Sequence, residues 1–362
     1  MITTKGTGWL ALIGILFCLA FCLVVTSPQE TSAQVLKWRM QTHLGSAEIN
    51  YKALADFVAD AKRMSGGRLD ITLYPGGAIV GPNDILDAVG KGVVEMGFAT
   101  GAYHLGSYPE LAIETGLPMG WRGLSEQMVI WWERGLEAHF RETYKQANIH
   151  LLPIQSQSGI TMISRKPLNS VKDFKGMKIR GFGQVAKWFQ ALGASSVYVP
   201  GGEIFMGLQL GTFDAAAWGA ESAFYEKKFH EVAKYILLPK IIDMHTNAIY
   251  LNLDRWNALP DDLKAIITGA AYAASAKTAA RMLQEDEQIF EKYLKPAGVK
   301  YCRMGPSDIE AMSKAAESVW SEIAAASPRA KKGIKIVTDY LREKGHTNYD
   351  VEKVTLPTPA KK

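Results

Sequence analysis

The chain has 362 residues, 48% of them apolar, and 41 Lys and Arg against 36 Asp and Glu, for a formal net charge of +5. That length and composition give one large or two medium globular domains, and with Cys302 the one cysteine outside the N-terminal apolar run, stability must come from a core and not from disulfides. The positive balance is mild, doublets such as Lys331-Lys332 and Lys361-Lys362 build no longer basic block, and no aromatic-plus-basic signature accompanies them, which excludes a nucleic-acid partner.

Lys5 precedes a nearly uninterrupted apolar run from Trp9 to Val25, followed by polar SPQETSAQ. The run is about the length that spans a bilayer and exceeds the roughly 7 to 15 residues of a signal-peptide core, so an uncleaved anchor stays open. Thr31, Ser32 and Ala33 before Gln34 favour cleavage, which makes residues 1–33 a signal peptide and the remainder an exported, soluble protein. Cys18 and Cys22 each follow a Phe and precede more apolar residues, a poor setting for lipid attachment.

From Val35 short strand-like runs alternate with longer helical ones. VLKWRMQT reads as a strand, Ser46 to Ser65 as a helix stopped by Gly66-Gly67, LDITLYPGG as a strand and turn, and Asn83 as the cap of a helix through Gly90. VVEMGFAT follows as a buried strand, Leu124 to Tyr144 as a helix, and IHLLPIQ as a strand. The second half repeats the rhythm: TMISRKPL, then KDFKG leading to the strand MKIRG, a helix from Gln184 to Leu192, the strand SSVYVP, and a helix from Glu203 to Leu210. TFDAAAWG reads as a strand, Ala223 to Ala233 as a helix and NAIYLNLDRWNALP as a strand and turn. Pro260 then opens a helix that runs to Lys295, about 50 Å at 1.5 Å per residue and long enough to brace two domains. Ser307 to Ala326 and Ile334 to Glu343 are helical, and TLPTPAKK is a loose tail.

This alternation predicts an α/β fold with mostly parallel sheets, in which ligands sit at the carboxyl ends of strands. Arg180 ends such a strand, just before Gly181 and Gly183. A guanidinium keeps its charge, so an arginine directed into an apolar setting needs an anion: either a neighbouring carboxylate, Glu221 or Asp243, or a ligand. Catalytic signatures are missing. There is no Gly-x-Gly-x-x-Gly at a strand-to-helix turn, no phosphate loop and no Gly-x-Ser-x-Gly elbow, and the seven histidines are not paired at zinc-site spacing. The carboxylates from Glu285 to Glu291 read as a solvated helix face. Binding, not turnover, is the expectation.

GEIFMGLQLGTFDAAAWG, residues 202–219, resembles the solute-binding proteins of TRAP transporters, the tripartite ATP-independent periplasmic systems. ALADFVADAKRMSGGRLDITLYPGG, DILDAVGKGVVEMGFATGAYH, SRKPLNSVKDFKGMKIRGFG and WNALPDDLKAIITGAA match that family in order, so the likeness runs from about Lys37 to beyond Lys295. The resemblance implies a periplasmic receptor, not an enzyme, with the two-lobed α/β fold of periplasmic binding proteins and a long helix spanning both lobes. It places lobe I at 34–156 with 248–275 returning to it, lobe II at 157–247 with about 276–326 packed on it, and a C-terminal helix and tail at 327–362. Hinges near Ala248 to Leu253 and Ile154 to Gly159 would close the lobes round a small organic acid. The acid would pass to the membrane permease subunits. A homodimer through the long helix is compatible with the resemblance.

In that family the arginine of the KIRGFG position pairs with the substrate carboxylate through both oxygens, and Arg180 occupies it. ATGAYH and AAWG are similar to the branch that binds 2-oxo acids and related monocarboxylates, which implies a ligand contact for the Tyr103 hydroxyl and a wall or carbonyl contact at Trp218. Tyr103 lies between Gly101 and Gly106, as in a loop, whereas Trp218 reads equally as a plain core aromatic. Asp243 stands where the branch tends to have a ligand-contacting glutamate, with a cap or surface role as the alternative. His43, in the loop after the first strand, is a further candidate for the cleft.

The sequence departs from the branch at its metal ligands. A glutamate is expected before the tryptophan and a glutamine some twenty residues before the arginine; here those positions are Ala217 and Gly159. Hard cations need several oxygen ligands, so no metal cofactor is expected, and Gln155, Gln157, Glu221 and Asp243 could rebuild a site only by rearrangement. The pocket would then take a different acid, larger or aromatic. Two rivals remain: a sensor subunit presenting the carboxylate to a membrane signalling partner, and an exported enzyme with Asp243 or Glu221 as a base beside Arg180.

Overall fold

The computed structural model of the chain describes residues 35–356. The leader read at 1–33 and the tail residues 357–362 lie outside the described residues. Two lobes are each built on a six-stranded mixed sheet. The first sheet runs β2 (Leu69–Tyr74), β1 (Leu36–Thr42), β3 (Met96–Ala99), β11 (Ile242–Asn252), β4 (Ile149–Leu151), with β5 (Gln155–Ile160) also paired to β11. The second runs β12 (Lys300–Arg303), β10 (Tyr235–Leu238), β6 (Met162–Ser164), β9 (Ala215–Ala217), β7 (Lys178–Arg180), β8 (Ser195–Val197).

The parallel pairs are those a strand-helix alternation produces, β1 with β2 and β3, β7 with β8 and β9, and β10 with β12. The mostly parallel expectation fails at β11 and β6, which run antiparallel to their neighbours because the chain crosses between lobes there. It enters the second lobe at Thr161, between β5 and β6, and returns between β10 and β11. In β11 the residues from Ala248 onward pair with β3 and β4, while Ile242 to Asn247 pair with β5. β5 and β11 thus lie side by side where the lobes meet, and side chains at alternate positions on them face one way.

The helix Asp261–Ile289, extended by a π turn at Phe290–Leu294, spans both lobes. Leu263, Ile267, Ala270, Ala271 and Ala274 join the core under the first sheet, and Phe290 and Leu294 join Ile163, Ile204, Leu208 and Phe224 in the second. Small residues at 271, 274 and 275 let this helix lie against β5: Ser275 Oγ accepts from Ser156 N at 3.0 Å, and Gln155 Nε2 donates to Ala271 O at 3.1 Å. The helix Pro306–Ala326 clamps the helix Gly183–Ala191 through Trp188 Nε1, which donates to Met312 O at 3.0 Å. The helix Pro328–Glu343 then returns to the first lobe, with Gly333 under Ile113 and His139.

Several local expectations are corrected. The helix expected over Leu124 to Tyr144 is two, Gly123–Met128 and Leu136–Lys145, because Gly135 takes a left-handed conformation (φ 81°) after a π turn. Ala223 to Ala233 likewise divides into Glu221–Glu226 and Phe229–Val232 at Lys228 (φ 60°). Asn83 is not a cap; it lies inside a 3₁₀ turn, Pro82–Asp84, ahead of Ile85–Gly90. β10 and β12 escape the sequence reading altogether. Among the described residues no helix is long and apolar enough to cross a membrane.

Candidate ligand-binding site

Between the lobes lies a cleft of about 740 Å³, within the range of small-molecule sites. Arg180 reaches it from the end of β7, where its register partners are Val197 on β8 and Ala216 on β9. Its side chain is held from behind by backbone: Nε donates to Val199 O at 3.1 Å and Nη1 to Ala217 O at 2.7 Å. Three aromatic rings surround the guanidinium carbon, Trp218 at 5.1 Å, Phe182 at 5.3 Å and Tyr198 at 5.5 Å from their centroids. Arg180 is 2% exposed, and burial pulls its pKa down to about 10; the Tyr198 and Tyr103 hydroxyls offset this only in part. Among the described residues no carboxylate pairs with it, and Nη2 has no protein acceptor. Ring faces stabilise a cation but accept no fork of N–H groups, so a carboxylate is the complement this side chain lacks.

Trp218 is seated on Gly201: a Cβ there would fall 2.5 Å from Trp218 Cη2. The absence of a side chain at 201 is what lets the indole lie beside Arg180. Tyr103 faces the cleft from the 3₁₀ turn Gly101–His104, capped by Thr100 Oγ1, which accepts from Ala102 N at 3.3 Å. Behind that turn, Glu114 Oε1 accepts from Gly101 N at 3.2 Å. Glu114 is fully buried, its other oxygen accepts from Tyr144 Oη, and burial pushes its pKa up to about 7.

His43 lines the same wall, stacked on Phe98 with centroids 5.5 Å apart and edge-on to Tyr103 at 5.8 Å. Its Nδ1 lies 3.1 Å from Phe98 O, an atom that can only accept, so Nδ1 carries the proton. Gln157, on β5, also lines the cleft and accepts from Asn50 Nδ2 at 3.0 Å through Oε1. Asn50 lies in the first turn of the helix Ile49–Met64, so this bond ties that helix to the crossing strands.

Two candidates lie elsewhere. Asp243 does not line the cleft; its Oδ2 accepts from Gly123 N at 2.6 Å and fixes the start of the helix Gly123–Met128. Glu221 sits behind the wall, 3.2 Å from Lys240 Nζ, and accepts from Tyr301 Oη at 3.0 Å. Asp286 shares that lysine at 3.5 Å and accepts from Ser222 N and Oγ. Neither acid reaches Arg180, so the internal ion pair and the base beside the arginine both fall away. Residues the sequence reading missed stand in the cleft: Phe182, Tyr198, Asn50, His245 and Asn247. Alternation along β11 could have put 245 and 247 on one face, but only with the strand's start, Ile242, in hand.

The model of bacterial extracellular solute-binding proteins, family 7, known as DctP, matches residues 40–327. The chain belongs to that family. A monocarboxylate 2-oxoacid-binding periplasmic protein of Nostoc sp. is 31% identical over 258 residues, which is 69% of each chain. Similar solved structures include TRAP periplasmic solute-binding proteins from Pseudoalteromonas atlantica, with bound sodium and pyruvate (25% identity, TM-score 0.76, 86% of this chain and 95% of that one), and from Colwellia psychrerythraea, with bound calcium and pyruvate (25% identity, TM-score 0.76, 86% and 96%). This DctP-family protein is therefore a TRAP-type solute-binding protein of the two-lobed fold and not an enzyme.

The metal ions of those two structures raise the question of whether this cleft has the donors for one. A Cβ at Gly159 would lie 2.5 Å from both Ile242 O and Asp243 O, so no side chain can stand there. Ala217 has no side-chain oxygen, and its carbonyl already serves Arg180. The cleft carboxylates, Glu48 and Glu226, flank Lys227 at 3.9 and 3.8 Å. Among the described residues no three His, Cys, Asp or Glu side chains are grouped to hold a metal. Hard cations require several converging oxygens, and the residues present do not fit one.

Proposed function

We propose that this protein is the exported, periplasmic receptor of a TRAP transporter for a small monocarboxylate, held by Arg180 without a metal ion and handed to the membrane permease. The observation that carries the reading is a buried guanidinium with an unspent edge, inside an aromatic-walled cleft and without a counter-ion among the described residues. A carboxylate entering there meets charge-assisted hydrogen bonds in a poorly hydrated setting, where they are stronger than in water. The role of the relatives as periplasmic binders of such acids supports the same class of ligand. Tyr103 and Trp218 line the ligand's flanks, and Gln157 with Asn50 forms part of the seam that closes on it.

The test is a thermal-shift screen of the mature chain against short oxo, hydroxy, aromatic and dicarboxylic acids, before and after exhaustive chelation. Binding to the native state alone stabilises by about 2.7 kcal/mol at a hundredfold excess over Kd. A monocarboxylate should raise the melting temperature equally with and without chelator. Loss of the shift on chelation, restored by calcium or sodium, would refute metal-free binding; no shift with any carboxylate would refute the ligand class.

A further inference from the structure

Behind the turn that carries Tyr103, the first lobe encloses a carboxyl group that no cation among the described residues balances. Glu114, at the end of the helix Leu111–Glu114, is fully buried. Its Oε1 accepts from Gly101 N at 3.2 Å, and a Cβ at Gly101 would fall 2.9 Å from Oε2, so the carboxyl lies directly against the backbone of that turn. Oε2 accepts from Tyr144 Oη, which itself lies 3.3 Å from Tyr250 Oη. These hydroxyls serve either state of the acid: a carboxylate accepts from Tyr144, whereas a protonated Glu114 donates to Tyr144 Oη while Tyr144 donates to Tyr250. The elements packed round Glu114 bring no opposite charge to it. Tyr144 comes from the helix Leu136–Lys145 and Tyr250 from β11. Glu110, on the preceding turn, accepts from Thr143 Oγ1 at 3.0 Å. In the turn itself Tyr103 faces the cleft, and His104 feels Asp84 and Asp87. The helix Pro328–Glu343 meets Ile113 through Gly333, and the charges of its Arg329 and Lys332 act on His139. Burial accordingly brings Glu114 to about 7, where both states are populated.

The cleft wall is one residue away. Thr115 lines it, with Oγ1 2.9 Å from Thr100 Oγ1 at the cap of the Tyr103 turn, and Glu114 O accepts from Thr246 Oγ1 on β11. Charge entering the cleft therefore acts on Glu114 through a thin layer of protein, where screening by water and salt is weak. We propose that the receptor takes up a proton as it binds its anionic ligand, and that Glu114 is the group that receives it. The inference rests on the carboxylate reading of Arg180, since an anion adds negative charge and displaces water, and both favour the neutral acid. A proton held more tightly in the complex makes binding strongest below the pKa of the free protein. For a shift of about one pH unit, affinity should be full below about 7 and fall about tenfold as pH rises through about 8. The other titratable groups on the cleft act elsewhere: burial lowers His43 and brings His245 to about 4, and Glu226, raised by burial, sits at the mouth beside Lys227. Glu226 is the rival acceptor.

The test is isothermal titration calorimetry of the mature protein with pyruvate, 2-oxobutyrate and benzoate, acids that stay ionised throughout, in phosphate, HEPES and Tris buffers. The slope of observed enthalpy against buffer ionisation enthalpy counts the protons taken up. The expected result is about half a proton per ligand between pH ~7 and ~8, falling toward zero at pH ~5.5 and ~9.5, with the tenfold loss of affinity over the same interval. Glu114→Gln should abolish the uptake and make affinity independent of pH there. Tyr144→Phe removes a donor that favours the charged carboxylate, so the uptake should persist with its maximum at higher pH, a shift that a merely structural role would not produce. The wild-type slope is read without any variant, so a misfolded mutant leaves the inference testable. Acids that bind without taking up a proton would overturn it, as would uptake that survives Glu114→Gln or that vanishes in Glu226→Gln. In those cases the Arg180 reading stands; if no acid binds at any pH, that reading falls and the inference with it.

Discussion

Replacing Arg180 with methionine separates a ligand anchor from a structural brace. The guanidinium is buried with no counter-ion among the described residues, and its pKa of about 10 corresponds to about 3 kcal/mol of unfavourable charge burial at about 1.4 kcal/mol per pH unit. Methionine removes that penalty while keeping much of the apolar stem against Trp218 and Phe182. Against the gain stand two carbonyls, Val199 O and Ala217 O, that lose a donor, at about 1 to 3 kcal/mol each if they stay dry. The opposing contributions are of the same size, so the free protein should unfold within about 2 kcal/mol of wild type. Binding should respond quite differently. Truncating one side of a buried, hydrogen-bonded charge pair costs about 2 to 5 kcal/mol, a loss of roughly 30- to 5,000-fold in affinity. Urea denaturation of the empty protein and calorimetry with the best acid from the screen measure the two effects. Arg180→Lys should fall between, since it keeps the charge and loses the fork. Affinity within threefold of wild type in Arg180→Met would refute the anchor. Loss of binding accompanied by a collapse of the empty protein's stability would make Arg180 a brace.

The remaining predictions concern the supports of the site. Glu114 titrates near 7 in the fold and in the ordinary carboxylate range near 4.5 when unfolded, so the folded state holds its proton more tightly. Its contribution is therefore complete below about 4.5 and is lost as pH rises through about 7; the urea midpoint should fall over that interval by the equivalent of about 3 kcal/mol, and Glu114→Gln should flatten it. Gly201→Ala drives a methyl into the Trp218 ring, which must move by about 1 Å; overpacking costs roughly 1 to 3 kcal/mol, and ligand affinity measured by calorimetry should fall at least fivefold. Lys240→Met leaves Glu221 and Asp286 buried without their shared cation and should lower unfolding free energy by about 3 to 5 kcal/mol in urea titrations.

Much of the fold was legible because hydrophobic period and turn chemistry are local. The long helix from Asp261, the strand ending in Arg180 and the alternation of the two lobes all stand where apolar spacing puts them. β10 and β12 were not legible, since the four-residue runs YILL and KYCR are too short to carry a period and become strands only by pairing with each other and, through β10, with β6. The breaks at Gly135 and Lys228 are left-handed residues between the helices on either side.

The site divides along the same line. An arginine at a strand end before two glycines already announced an anion, because no arrangement of the chain can discharge a guanidinium. Which anion was beyond the sequence: Glu221 and Asp243 were equally available until folding gave one to Lys240 and Tyr301 and the other to the backbone of Gly123. Asn50 and Gln157, 107 residues apart, meet only across the lobes, and His245 faces the cleft only through the register of β11 on β5. Residue type and local period thus determined the elements and the charge that needs a partner. The partner, and the acceptors that surround it, were decided by long-range pairing, since a polar side chain bonds to whatever the tertiary structure places within about 3 Å of it.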